Sequence, residues 1–136
     1  LAEDNHAAAT AAANTLEALI ASTTLSGDPQ ATWAGIADEM RSHARHVSAS
    51  KDLEGARAGF EPLSASIEEL LRRFGNPLNI DLHVAFCPMA QGDAGAKWVQ
   101  QGKTIDNAYF GASMRTCGEI RSEVAPGSFL PTERAH

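Results

Sequence analysis

The segment Leu53-Glu54-Gly55-Ala56-Arg57-Ala58-Gly59-Phe60-Glu61-Pro62-Leu63-Ser64-Ala65-Ser66-Ile67-Glu68-Glu69-Leu70-Leu71-Arg72-Arg73-Phe74 carries the clearest period in the chain. Leu53, Ala56, Phe60, Leu63, Ile67, Leu70 and Phe74 recur at alternating steps of three and four. That spacing places them along one side of a helix and predicts a seam facing a bundle. Pro62 has no amide to offer the carbonyl four residues earlier, so a kink or split is expected near Gly59 to Pro62. Gly75-Asn76-Pro77 reads as the stop: a left-handed cap followed by proline.

Upstream, Ala9, Ala12, Ala13, Leu16, Leu19 and Ile20 give a second stripe, in a helix expected from about Glu3 to Thr23. Ser26-Gly27-Asp28-Pro29 is a turn in which Asp28 can cap and Pro29 suits a first helical position. The helix that follows is striped by Trp33, Ile36, Ala37, Met40, Ala44 and Val47, and Ser48-Ala49-Ser50 supplies the next break. Downstream the period changes to two, since Ile80, Leu82, Val84 and Phe86 alternate with Asp81, His83, Ala85 and Cys87. That is a strand signal. Gly92-Asp93-Ala94-Gly95 is then a hairpin turn, with Lys97-Trp98-Val99 a short returning strand. These readings predict a mainly α fold: an antiparallel three- to four-helix bundle with a short β-hairpin or irregular C-terminal motif segment.

The length of 136 residues fits one domain. We expect residues 1–120 to form the helical bundle with its sulfur motifs, and 121–136, polar and containing Pro and Gly, to be a flexible tail. A hydrophobic fraction of 43% against 21% charged residues is that of a packed chain rather than a disordered one. The net charge of −6 opposes nucleic-acid binding, which draws on clustered Lys and Arg. No apolar run approaches the roughly 20 residues that span a bilayer, so no membrane insertion by this chain is expected. The opening Leu1-Ala2-Glu3 lacks a basic-then-apolar leader, and any targeting segment is expected to be absent or removed.

Two of the three methionines flank the only two cysteines, in Cys87-Pro88-Met89 and Met114-Arg115-Thr116-Cys117. In an extended segment, residues two apart point the same way about 6.6 Å apart, so Cys87 and Met89 can converge. In a helical turn, residues three apart share a face, so Met114 and Cys117 can converge as well. Thiolates and thioethers are soft donors that select monovalent copper or silver over hard cations. Zinc competes, but its sites usually combine Cys with His. Two other readings of the same residues stay open: a Cys87–Cys117 disulfide, or ordinary core packing. His83 shares the Cys87 face about 13 Å along the strand, too far to share an ion easily. His43 and His46, three apart on a helix, are a weaker candidate pair. No Cys-His or Ser-His spacing predicts catalytic contact, so no enzyme activity is expected.

Several motifs together resemble a known family. They are Phe86-Cys87-Pro88-Met89-Ala90, Gly95-Ala96-Lys97-Trp98, Ile105-Asp106-Asn107-Ala108-Tyr109-Phe110-Gly111 and Ser113-Met114-Arg115-Thr116-Cys117-Gly118-Glu119, with a weaker match in Ser50-Lys51-Asp52-Leu53-Glu54. The family is the small periplasmic domain of unknown function found alone or at the C-terminus of copper/silver-type heavy-metal efflux membrane-fusion proteins. The chain departs from it at Ala108, where the family usually has Pro. The resemblance implies a helical bundle capped by the motif segment, a periplasmic or otherwise extracytoplasmic location, and a part in copper or silver handling. It also implies Cys87, Met89, Met114 and Cys117 as metal ligands. The expected function is therefore a non-enzymatic domain that binds copper(I), with silver(I) or zinc as further candidates, and partners efflux transporter subunits. The alternative is a structural or interaction module of such a system, closed by a Cys87–Cys117 disulfide.

Overall fold

The computed structural model describes residues 1–23, 25, 27 and 29–131. Three helices come first: α1 (His6–Ser22), α2 (Pro29–Ser48) and α3 (Leu53–Phe74). Each entry that can be read follows from a short polar side chain. Asn5 accepts from the Ala8 amide at 3.0 Å, and Asp52 accepts from the Gly55 amide at 2.8 Å, so two otherwise orphaned helical donors are satisfied. The capping role expected of Asp28 falls outside the described residues. Helix α3 does not split at Pro62 but runs unbroken to Phe74. The carbonyl that Pro62 cannot serve belongs to Ala58, which is exposed, so water can take it and the break is not forced.

The striped faces meet largely as expected. Ile20, Trp33, Ile36, Ala37, Met40 and Leu63 form one core, with Leu16, Ile67, Leu70 and Phe74 packed at its edge. Leu19 departs from its stripe and lies exposed.

The architecture as a whole corrects the helical-bundle expectation, because the three helices are joined by a three-stranded sheet. Strands β1 (Leu82–Cys87), β2 (Ala96–Gln100) and β3 (Glu119–Val124) form a three-stranded antiparallel sheet in the order β2-β1-β3. Strand β1 is central and nearly all buried, which its near-continuous apolar run allows. On β3, Glu119, Arg121 and Glu123 face solvent while Ile120 and Ser122 are half-buried and Val124 is buried. Only two of its six residues are apolar, and that composition is why the segment reads as tail rather than strand. The register shifts between Val84 and Ala85, where β3 accommodates an extra residue. Arg121, next to this irregularity, places its guanidinium 4.1 Å from the centre of the Phe86 ring.

The flexible tail expected over 121–136 is also corrected as far as Pro131. After β3 the chain returns to the end of α3: Leu130 donates to the Leu71 carbonyl, and its side chain is buried against Leu71, Leu82, Val84 and Val124. Asn76 secures the return. Its amide group donates to the carbonyls of Ile80 and Val124, both at 2.8 Å, and its oxygen accepts from Leu78. Across the sheet, Lys97 on β2 reaches the buried Glu68 of α3 at 3.2 Å. Among the described residues, no helix is long and apolar enough to cross a membrane.

A flexible tail and a seated one respond differently to truncation of a side chain. Leu130→Ala should cost about 2–5 kcal/mol in chemical denaturation, the range for emptying a buried leucine site; a tail free of the core would show no change.

Candidate functional site

The two cysteines, 30 positions apart in the chain, meet with their sulfur atoms 3.7 Å apart, and both are free thiols. Cys87 ends β1, where its side chain is 0% exposed among Ala85, Ala90, Ala96, Trp98 and Tyr109. Cys117 precedes β3 and is only half-buried. The site is thus an asymmetric dithiol at the edge of a core, one sulfur enclosed and one near solvent.

What brings Cys117 there is the segment between β2 and β3. Asn107 is 0% exposed, and its side chain is fully engaged with backbone: the amide nitrogen donates to the Cys117 carbonyl at 2.8 Å, and the oxygen accepts from Tyr109 and Phe110 at 2.8 and 3.2 Å. Its own amide donates to the Arg115 carbonyl at 2.7 Å. Tyr109 then packs at 5.6 Å from the Phe60 ring and 5.9 Å from the Trp98 ring, and its hydroxyl donates to the Lys97 carbonyl. These contacts make Tyr109 a core residue, as does its low exposure.

Gly118 completes the approach. At φ +133° its backbone suits glycine, and a Cβ there would stand 2.8 Å from the carbonyl oxygen of Phe86, the residue before Cys87. Absence of a side chain lets the two cysteine-bearing segments lie side by side.

The loop is also tied to the helices. Arg57 of α3 donates to the Ala108 carbonyl at 2.8 Å and pairs with Asp4 at 2.7 Å, and Asp4 accepts from the Ala112 amide at 2.9 Å. The Arg57 guanidinium first, then the Ala112 amide, hold the Asp4 carboxyl below its ordinary range. Thus Ala108 is fixed by an arginine from another element.

The methionines take different positions. The extended geometry expected for Cys87 and Met89 does not form, because Cys87-Pro88-Met89-Ala90 is a turn in which the Ala90 amide approaches the Cys87 carbonyl at 3.4 Å. Met89 is 48% exposed and borders an open cleft with Glu54, Arg57, Gln91, Tyr109 and Phe110. Met114 ends the 3-10 turn Gly111–Met114, and its carbonyl accepts from the Cys117 amide at 3.1 Å, so this pair does share a turn. It is half-buried.

The candidate histidines His43, His46 and His83 stand on α2 and β1 and, among the described residues, join no metal-binding cluster. His83 is buried on β1, its Nδ1 bonded to the Gln101 carbonyl at 2.9 Å and its Nε2 3.8 Å from Glu123. His46 is exposed and His43 half-buried on α2. Among the described residues, no group of three or more His, Cys, Asp and Glu side chains stands where it could hold a metal.

The pair could chelate a metal ion through its two sulfurs. With metal–sulfur bonds of about 2.3 Å, as at zinc thiolates, a 3.7 Å sulfur separation corresponds to an S–metal–S angle of roughly 107°. A linear complex would need the sulfurs about 4.6 Å apart. A bent chelate leaves room for a third donor, and a thioether or an external ligand can supply it. In the free protein, the hydrogen bond with Cys87 first, then desolvation, then repulsion from a Cys87 thiolate hold the Cys117 thiol above its ordinary range.

Reading the sequence missed Asn107 as the residue that sets the site. Its signal was an asparagine two and three residues before amides that it can cap. Asn107→Ala should strand the Cys117 carbonyl and lower stability by about 1–3 kcal/mol. The same variant should speed alkylation of Cys117 under native conditions; an unchanged rate would mean that the clamp does not position the thiol.

A family model described as a protein of unknown function, DUF3347, matches residues 1–78. The match spans α1 to α3 and ends before β1, so both cysteines lie beyond it. No curated protein and no solved structure matches the chain. The chain belongs to the DUF3347 family, matched across more than half of its length.

Proposed function

We propose that this chain is a non-enzymatic domain that binds a soft monovalent metal, copper(I) or silver(I), through Cys87 and Cys117. The observation that carries the reading is the 3.7 Å separation of two free thiols held from distant parts of the chain. Thiolates favour copper(I) over hard cations, and zinc is less favoured because no histidine or carboxylate joins the pair among the described residues. Met114, which shares a turn with Cys117 and is half-buried, is the thioether candidate for the site. Met89, exposed at the cleft, is suited to an outer or transient contact. The sulfur motifs' resemblance to the copper/silver efflux family supports a periplasmic or extracytoplasmic setting and a role in metal handling, with transporter subunits as partners.

The same proximity supports a second reading, a structural or interaction module closed by a Cys87–Cys117 disulfide. Such a bond would close a loop of 30 positions and contribute about 3–4 kcal/mol in the chain-entropy model. Intact mass with and without a thiol reagent separates the two. Two free thiols in protein isolated from an oxidising compartment exclude the structural bond.

The metal reading is tested by anaerobic titration of reduced protein against a competing copper(I) chelator. Cys87→Ser and Cys117→Ser should each weaken binding severely, since each removes a donor and its charge, whereas Met114→Leu should weaken it less. Micromolar or weaker binding by the reduced parent would rule the reading out.

Binding should also strengthen with pH. The metal takes thiolates, so each proton released raises apparent affinity about tenfold per pH unit while that thiol is protonated in the free protein. Because the Cys117 thiol is held above its ordinary range, the rise should continue past about pH 8.5. Affinity that levels off well below that pH would show that Cys117 is not a ligand.

A further inference from the structure

We propose that Cys87 and Cys117 undergo thiol–disulfide exchange in a fixed order, Cys117 entering and Cys87 resolving, and that a small soluble disulfide thereby switches the metal site off. The switching rests on the metal reading above; the order of exchange does not.

The order follows from where the two sulfurs lie. Exchange begins when a thiolate reaches a disulfide sulfur, and its rate depends on access as much as on ionisation. Cys87 is 0% exposed beneath Ala90, Ala96 and Trp98, so an incoming disulfide cannot reach it without opening the core. Cys117 is half-buried and follows a turn at the surface, between exposed Thr116 and exposed Gly118.

In the first step the Cys117 thiolate attacks one sulfur of the disulfide. The Cys117–sulfur bond forms, the external sulfur–sulfur bond breaks, and one thiolate leaves to take a proton from water. In the second step Cys87, 3.7 Å away, attacks the Cys117 sulfur from the enclosed side and passes its proton to the departing external thiolate. The second external thiol then leaves toward solvent. The two cysteines are oxidised to a disulfide, and the external disulfide is reduced to two thiols.

The surroundings make the second step fast relative to the first. Closure is intramolecular, with the partner sulfur already in contact and held by Asn107 and Gly118. A mixed disulfide on the parent protein should therefore be short-lived. The product has no thiolate left for a metal.

Oxidised glutathione serves as the probe, added without oxygen to reduced protein, with acid-quenched samples followed by intact mass. The parent should pass to the internal disulfide with little adduct accumulating. Cys87→Ala should hold a stable single adduct on Cys117, and Cys117→Ala should react at least roughly tenfold more slowly, as an enclosed thiol does. Peptide mapping of brief iodoacetamide labelling on the parent gives the order without any substitution: Cys117 should be labelled first. Equal labelling of the two thiols, or a parent that stops at the mixed disulfide, overturns the order.

Copper titration of both forms then judges the switch. The oxidised form should lose high-affinity binding and regain it after reduction; equal affinity in the two forms overturns the switch. If the reduced protein binds no copper, the metal reading and the switch fall together, and the mass data alone decide the order of exchange.

Discussion

An enclosed primary amide has to find partners for its oxygen and nitrogen, and at Asn107 every one of them is a backbone group of the surrounding loop. That requirement fixes the path from Asp106 to Cys117 more firmly than any apolar contact there, since hydrogen bonds specify direction and packing does not. The placement of Tyr109 over Phe60 and Trp98 depends on it, and so does the meeting of the two thiols. Asn76 acts in the same way at the far end of the sheet, joining the end of α3 to the end of β3. Each of these asparagines stands at a junction between helical and sheet parts of the molecule.

The sheet in turn explains why the dithiol is asymmetric. Cys87 ends the central strand, where its sulfur is enclosed by Ala96 and Trp98 of β2 and by Ala90 and Tyr109 from outside the sheet. Cys117 lies outside any strand, just before the edge strand β3, where neighbouring residues remain in contact with water. A central strand next to an edge strand therefore yields one protected thiol and one accessible thiol. The positive φ of Gly118 lets the second approach the first without widening the sheet.

Most of the helical part was legible in the sequence. The stripe of α2 predicted its buried face, Trp33, Ile36, Ala37, Met40, Ala44 and Val47, whereas in α3 only Ala56 and Leu63 of the stripe are buried, its other members are half-buried, and Gly59, Ser64, Ser66, Glu68 and Leu71 are buried outside it. Strands β1 and β2 were also legible, as an alternating run and its return. Strand β3 was not: Glu119-Ile120-Arg121-Ser122-Glu123-Val124 is an edge strand whose polar side faces water, and its pairing with β1 is a long-range fact that local composition does not carry. The continuity of α3 through Pro62 was missed because whether a carbonyl can be solvated depends on which side of the helix faces out. At the site, the cysteines were identifiable from their motifs, but Met89 was read as extended although a turn follows Cys87 immediately. The positioning role of Arg57 was hidden because the Ala108 carbonyl lies 51 positions away, and that of Asn107 was hidden in part, since its caps on Tyr109 and Phe110 are local but its bond to the Cys117 carbonyl is not.

Arg57 has a mechanical consequence. It stands on α3, inside the region matched by the family, and holds the Ala108 carbonyl of the loop that carries the Asn107 clamp, which lies outside that region. Through Asp4 it also braces the N-terminal segment against Ala112. The three segments form a triangulated frame, with the guanidinium as its pin. Moving the loop away from α3 would break the Arg57 bonds to Ala108 and to Asp4 together, so the segment that carries Cys117 is tied to the helical surface by contacts that are lost as a set.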